Sequence, residues 1–571
     1  MPGSMRRPAP AVALLAGLSL TLAGASHAKT SAASDCAPAG GMSSVKPPQF
    51  VRNIPTGETG WFASPSLVDL NGDRRLEIVA PFYSTFVFDA KGHLLGKGTS
   101  TKGRVYAPGV VADLDGDKIP DLVVGGNEGT VAAYDFVGGK LRLERGWPAS
   151  TCSGGQCPEG RGLAAADLDG DGRSEVVVTT TNTSPTGSQV FVFGANGRLW
   201  HPKGAPATSW PRYNRLSGAG NDAKFNGSGN HGYGAYGENV AIGNVDDDPQ
   251  LEIVVTFDNH QINVFNDDGT SVLAAPWFTN RDSGYAGRRL GWGQFIRWLN
   301  PAVENNQYHR HVGSWPDVRK TSWLQWTASP PAVADLDDDG KNEVIGLPNV
   351  ERGEPYVTQA YAFMVLDGAQ HGGARSAMRH AGFVSLPLSS KPAFRPDGDW
   401  YPPSGIPAPS VANISGDARP EIVAAVPDGS VYAIGPTGKR LWRFDYARGA
   451  PKSFASEVVA ADLNRDGKPE LVFGTYSLAP GSGRLVVLTS AGKLLYEIRL
   501  PHQGRDGNGI GVPAAPSIGD LDGDGSLELV VTTFDHGIDV FHVPGSGTNC
   551  LPWPTRRGNL ARNGTGPTTA S

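Results

Sequence analysis

Asp113-Leu-Asp-Gly-Asp-Lys-Ile-Pro-Asp121, followed at once by Leu122-Val123-Val124, places carboxylates at positions 1, 3, 5 and 9 of a nine-residue loop. A tight turn aims alternate side chains at one point, and the ninth residue closes the ring. Oxygen donors without nitrogen or sulfur suit a hard cation of calcium's size better than zinc. A single Asp-Gly-Asp also occurs in plain polar turns. This chain repeats the pattern eight times, and plain turns do not explain acids at fixed offsets.

The copies begin at Asp69, Asp113, Asp167, Asn244, Asp335, Asn413, Asp462 and Asp520. Position 3 is Asn71, Asp115, Asp169, Asp246, Asp337, Ser415, Asn464 and Asp522. Position 5 is Asp73, Asp117, Asp171, Asp248, Asp339, Asp417, Asp466 and Asp524. Position 9 is Glu77, Asp121, Glu175, Glu252, Glu343, Glu421, Glu470 and Glu528. These are the candidate metal ligands, for up to eight calcium ions. The sixth copy, Asn413-Ile-Ser-Gly-Asp417, is poorest in carboxylates and is expected to bind most weakly. Glycine at position 4 in five copies, as at Gly116, marks a backbone turn of positive φ.

Each copy reads as four short strands. In the second copy these are Val110-Val111-Ala112, Leu122-Val123-Val124, Thr130 to Tyr134 and Lys140 to Leu143, separated by the acidic loop and by glycine turns. No segment carries a long 3.6-residue period. A repeat of this kind argues for one large array rather than several domains. Four-stranded antiparallel units in series describe an all-β fold, a β-propeller with the calcium loops joining first to second strands. Eight blades are expected, with seven blades and an outlying copy as the alternative.

The pattern of apolar strand, Asp-x-Asp-Gly-Asp-x-x-x-Glu/Asp and apolar strand resembles the FG-GAP/VCBS repeats of the integrin α-subunit propeller and of many secreted bacterial proteins. The resemblance spans nearly everything from Ser64 to Asn549 and implies a calcium-bearing propeller. It says little about function. Integrin-type propellers have seven blades with metal in some of them, whereas eight loops are present here.

Residues 1–28 read as a signal peptide, with Arg6 and Arg7 ahead of an apolar stretch and Ser26-His27-Ala28 at the cut. That stretch is too short to span a bilayer, so a secreted or periplasmic protein without a transmembrane segment is expected. Residues 29–60 precede the array at 61–549, and 550–571 form a tail. The eighth copy lacks a clear fourth strand, and Gln49 to Ile54 is expected to supply it. The four cysteines suit an oxidising compartment. Cys152 and Cys157 close a small loop, and Cys36 and Cys550, at the two ends of the array, are expected to pair.

The net charge of −6 conceals an imbalance: 27 of the 56 acids sit in the loops, leaving 29 against 50 lysines and arginines. With cations in the loops the remaining surface is basic, which favours an acidic polysaccharide. No Lys/Arg run is dense enough for nucleic acid.

Insertions at 200–237, 276–327 and 369–406 are expected to follow fourth strands and crowd the face opposite the loops. The middle one holds Trp277, Trp292, Trp298, Trp315, Trp323 and Trp326 among Arg288, Arg289, His309 and His311. The third adds Trp400 and Tyr401. Aromatic rings with guanidinium neighbours suit sugar stacking and carboxylate pairing; the alternative is a satellite core that holds a cap on the propeller. The chain shows no Gly-x-Ser-x-Gly elbow and no His-Glu-x-x-His, so no catalytic residue is assigned. A monomeric binding or adhesion module for an extracellular glycan or protein ligand is expected. The alternative is a polysaccharide lyase, which some calcium-bearing eight-bladed propellers resemble.

Overall fold

The structure is a computed structural model that describes residues 36–566 apart from 100, 183, 185–186, 201–236, 258–260, 279–290, 294–295, 297–298, 302–322, 327–328, 352–359, 391–406, 451–452, 478–482 and 502–508. Antiparallel strands dominate, and Pro276–Phe278 and Ala369–His371 form short 3-10 turns. Eight of the sheets carry an acidic loop between their first and second strands.

The hairpin around each loop has one register. The residue before position 1 pairs with position 9 in every copy: Val68 with Glu77, Ala112 with Asp121, Ala166 with Glu175 and Gly243 with Glu252. The later copies pair Ala334 with Glu343, Ala412 with Glu421, Ala461 with Glu470 and Gly519 with Glu528. A slip by one residue would turn the buried acid to the opposite face of the sheet, so the register decides whether the position-9 acid faces its own loop.

Small residues at these paired positions let the first strands crowd together. The second and third strands are buried on both faces, as in Glu175–Thr180 and Val190–Phe193. Fourth strands such as Leu94–Gly98, Arg440–Asp445 and Leu494–Arg499 are far more exposed. In the eighth sheet the fourth strand is Gln49–Ile54, paired with Ile538–Val543.

Among the described residues three copies depart from four strands. In the third and fourth, the outer strand shrinks to single bridges, Phe193 to Leu199 and Phe265 to Ser271. In the fifth, the third strand Met364–Asp367 runs into the turn Ala369–His371, and Leu366 bridges Arg379. The insertion at 369–406 therefore follows a third strand rather than the expected fourth. An outer strand has a partner on one side only, so the sheet loses least where the chain leaves there. The fifth copy also gains a small sheet on its second-to-third hairpin: Trp323–Gln325 pairs Asn349–Glu351, which pairs Ala360–Tyr361. That side of the sheet is opposite the loops.

Apolar clusters join the copies in series. Val79, Val87, Leu122 and Val124 link the first and second; Val123, Ala133, Val176 and Val178 link the second and third. Val177, Val192, Ile253 and Val255 continue to the fourth, and Val254, Val264, Val344 and Leu366 to the fifth. One large cluster spans the fifth, sixth and seventh copies through Ile345, Ile422, Val431, Leu471 and Phe473. Val472, Val487, Leu529 and Phe541 reach the eighth. Ile78, Ala80, Val530 and Val540 then pack the eighth copy on the first.

The C-terminal segment lies against the first strands. Backbone carbonyls of Leu560, Ala561, Asn563, Gly564, Trp553 and Pro554 accept hydrogen bonds from Val111, Ala165, Ile242, Val333, Ala460 and Ile518 at 2.8–3.0 Å. Each donor stands two residues before position 1 of its own loop, in six different copies. The segment therefore runs along the line where the first strands converge. It carries Arg556, Arg557 and Arg562, all buried. Cys36–Cys550, with Cα atoms 5.3 Å apart, ties its start to the N-terminal segment, and Cys152–Cys157 closes a surface loop at 4.1 Å.

Candidate metal centres

The loops share a hydrogen-bond plan that explains the spacing. One oxygen of the position-9 side chain accepts the backbone N–H of position 2 in all eight, at 2.6–3.0 Å: Leu70 to Glu77, Leu114 to Asp121, Leu168 to Glu175, Val245 to Glu252, Leu336 to Glu343, Ile414 to Glu421, Leu463 to Glu470 and Leu521 to Glu528. The position-5 carboxylate accepts the N–H of position 7 in every copy, as Asp73 does from Arg75 and Asp524 from Ser526. Where position 1 is aspartate it accepts from position 6, for example Lys118 to Asp113 at 2.9 Å. Positions 4 and 6 both take positive φ, at Gly116 (83°) and Lys118 (68°) in the second loop. The sequence carries the signal at position 6 as well, as Gly172, Gly340, Gly467 and Gly525.

These bonds preset the acids and use up only part of their oxygen valence. Ligand atoms of Asp113, Asp115 and Asp121 lie within 4.8 Å of one another, as do those of Asp167, Asp169 and Glu175. Burial, reinforced by the neighbouring loop carboxylates, pushes Glu77 and Asp121 up to about 7, Glu175 and Glu470 to about 8, and Glu252 to about 9, against the backbone N–H bonds that lower them. A cation among them would offset both the burial and the mutual repulsion. The donor set fits a hard ion: carboxylate, amide and hydroxyl oxygens, with two to four anions per site.

Three copies differ. In the fourth, the Asn244 side chain is engaged by Gln370 and by the Asp248 carbonyl, and Asn342 donates to the Asn244 carbonyl at 2.7 Å. Position 1 of that loop is thus stitched to the fifth loop. In the sixth, Ser415 and Ile414 both donate their backbone N–H to Glu421, at 3.1 and 2.8 Å, and few anions remain. The fifth loop has two histidines against it, His371 and His380.

Residues 113–178, which contain the second and third loops, match the FG-GAP-like repeat family. The chain carries an FG-GAP-like repeat there. No curated protein matches it. Among solved structures it is similar to the BBS1N chain of a complex with ARL6DN, at 10% identity over 88% of this chain and 98% of that one, TM-score 0.40. It is also similar to the V. cholerae biofilm matrix protein Bap1, at 14% identity, 92% and 96% coverage and TM-score 0.35. Chaetomium thermophilum Sqt1 gives 11% identity, 87% and 99% coverage and TM-score 0.44.

The aromatic candidates divide. Trp292 and Trp326 are fully buried, and their indole N–H groups donate to the Asp367 and Ile296 carbonyls at 3.3 and 2.9 Å. Neither ring offers a face to a ligand, which corrects their assignment as binding residues: they are the satellite core. Trp277 is 39% exposed on the turn Pro276–Phe278. Trp323 is in a strand of the small sheet, its side chain outside the described residues. Trp298, Trp315, Arg288, Arg289, His309, His311, Trp400 and Tyr401 lie outside the described residues.

A different aromatic group, missed in the sequence, lies on the side opposite the loops. Arg104 stacks over Trp61 at 4.4 Å, Arg161 stacks over Tyr106 at 4.1 Å, and Glu159 pairs with both guanidiniums. Phe62, Tyr106, Phe454, Tyr476 and Phe534 form its floor, and Tyr83 stands exposed at its edge. These residues are scattered over several copies, some in connections and some in strands such as Gly160–Ala166 and Glu470–Ser477, so no local pattern joins them.

Among the described residues no helix is long and apolar enough to cross a membrane.

Proposed function

We propose that this chain is a secreted, calcium-stabilised, eight-bladed propeller that serves as a binding module, with extracellular carbohydrate as its ligand class. The observation that carries the reading is the common register of eight loop hairpins, each holding a buried acid by one oxygen. Eight loop-bearing sheets packed in series, the eighth on the first, support eight blades rather than seven. The disulfides favour an extracellular setting.

Calcium in this reading is structural. It neutralises facing carboxylates and pins first to second strands, while ligand contacts fall on the other side. There, Trp61, Tyr83 and Arg104 combine exposed ring area with a cation, which suits stacking on sugar rings and pairing with uronate or sulfate groups. Trp277 adds a second exposed ring.

A glycan array probed with the mature chain in millimolar calcium tests this. Binding to acidic glycans that falls at least tenfold in Trp61→Ala or Trp277→Ala, with an unchanged melting temperature, is expected. Absence of glycan binding by the folded protein would overturn the carbohydrate reading. Ultraviolet absorbance from an unsaturated product on incubation with polyuronates would replace it with a lyase.

A further inference from the structure

The fifth loop has two buried histidines against it, whereas the eighth has one, the half-buried His542, 2.8 Å from Glu528 Oε1. His371 Nε2 lies 2.6 Å from Glu343 Oε1, the oxygen of the position-9 acid that the Leu336 N–H leaves free. Both atoms are buried and, despite the short distance, lack the alignment of a hydrogen bond. His371 Nδ1 stands 3.7 Å from Asp339. On the other flank His380 Nδ1 is 2.8 Å from Asp367 Oδ1 and 3.9 Å from Glu343 Oε1, and its Nε2 is 3.8 Å from Asp337. Asp367 is itself held by Arg375 Nε at 2.7 Å.

Two triads of ligand atoms, Asp339/Glu343/His371 and Glu343/Asp367/His380, therefore share one carboxylate, each within 4.8 Å. Atoms bound to one ion at about 2.1 Å sit roughly 3.0–3.4 Å apart, and the observed separations of 2.6–3.9 Å bracket that spacing. Calcium takes six to eight oxygens, and here an imidazole occupies the direction a loop calcium would use. Imidazole with carboxylate is instead the ligand set of zinc and its neighbours.

We propose that Glu343, His371 and His380, with Asp339 and Asp367 beside them, form a four-coordinate site for a divalent transition ion of zinc's class. The site has a structural purpose readable in the fold. The fifth sheet has no fourth strand among the described residues, and 369–380 takes that place. The segment is attached by hydrogen bonds from Ala377 and His380 to the carbonyls of Asp367 and Val365. An ion shared by Glu343 and the two histidines staples that segment to the loop, where five of the other copies have a strand. The histidine side chains are 10% and 7% exposed, a closed site rather than one open to substrate.

The probe is cobalt(II), added to the chelated full-length mature chain in millimolar calcium. Four-coordinate cobalt with nitrogen ligands absorbs visible light strongly, and oxygen-only sites of six ligands do not. One equivalent of the intense band is expected, abolished by added zinc. It should be lost in His371→Gln/His380→Gln and kept in Asp115→Asn, whose loop has no histidine. Should the double variant fail to fold, His371→Gln alone must weaken cobalt binding at least tenfold. No intense band, or a band that persists in a folded double variant, overturns the proposal: the histidines then serve as the loop's own counter-charges. Because calcium occupancy elsewhere is read separately by calcium titration, failure here is distinguishable from failure of the calcium loops.

Discussion

Glu238 and Arg556, separated by 318 positions in sequence, meet as a buried ion pair: Nε donates to Oε2 at 2.7 Å and Nη2 lies 2.6 Å from Oε1. Glu238 stands just before the first strand of the fourth copy, and Arg556 belongs to the C-terminal segment. Nearby, Glu457 accepts from the Trp553 indole at 3.0 Å and from the Arg557 backbone at 2.7 Å. Arg562 donates to the Thr555 hydroxyl, the Arg556 carbonyl and the Ser66 hydroxyl. Glu238→Ala or Arg556→Ala leaves one charge buried without its partner and should destabilise by about 3–5 kcal/mol. The double variant Glu238→Ala/Arg556→Ala should cost clearly less than the sum, as a double-mutant cycle by urea denaturation would measure. Additive losses would mean that the pair is not coupled.

The C-terminal segment is also a structural part of the array rather than a loose tail. Its carbonyls receive backbone N–H groups from six first strands. Ending the chain after Asn549 removes every one of those acceptors, together with Cys550. We expect loss of the cooperative thermal transition and of fixed near-ultraviolet signals, with far-ultraviolet strand content partly kept. Cys36→Ser/Cys550→Ser is the milder test, with an expected loss of about 2–5 kcal/mol. A truncated chain that melts as the full one does would refute a packing role for the segment.

The contrast between these parts shows what the sequence discloses. Eight loops with acids at fixed offsets were legible because each is local: the ninth residue binds the second, and strand pairing follows from that. The fourth strand of the eighth sheet was also legible, since Gln49–Ile54 has a strand pattern and no sheet of its own. The C-terminal segment was not, because it has no repeat and its partners are scattered over six copies. An acid ahead of an apolar first strand, as at Glu238 and Glu457, was the available signal, with three unpaired arginines in the tail as its complement. Tryptophan density at 276–327 leaves sugar stacking and a satellite core both open, and Trp292 and Trp326 find backbone acceptors in the core. The histidines of the fifth copy escaped notice because they follow position 9 by 28 and 37 residues, outside any loop-length motif.

A pH effect should come from His536. Its ring nitrogens reach Asp535 Oδ1 at 2.9 Å and Asp539 Oδ2 at 2.8 Å, and the side chain is 1% exposed. Burial disfavours its charged form, but the two aspartates outweigh that and push the imidazole up to about 9. A histidine whose folded value lies above its unfolded value of about 6.5 contributes stability in full below 6.5 and loses it as pH rises through 9. His536→Gln should therefore be destabilised by roughly 3 kcal/mol at pH 6, an upper limit from that shift. The gap to the parent chain should narrow steadily between pH 6.5 and 9.5. Melting temperatures across that range check it, and a pH-independent gap would rule out the charged pairings as its source.

Calcium should act on stability, and unevenly across the loops. For a site with a dissociation constant of about 10⁻⁴–10⁻³ M, 10 mM free calcium stabilises the fold by roughly 1.4–2.7 kcal/mol. Chelation of the mature chain should lower the melting temperature, and returning calcium should restore it with a logarithmic dependence on concentration. Glu175→Gln removes the ninth ligand from a loop with three aspartates, and it should flatten that dependence by about one site. Glu421→Gln should change it little, because Asn413 and Ser415 leave the sixth loop short of anions. The comparison separates metal binding from the loops' own hydrogen bonds, since both acids accept a backbone N–H from position 2, at 3.0 and 2.8 Å. Equal effects of the two substitutions would place the stabilisation in those hydrogen bonds, and calcium would then have no structural role in the third loop.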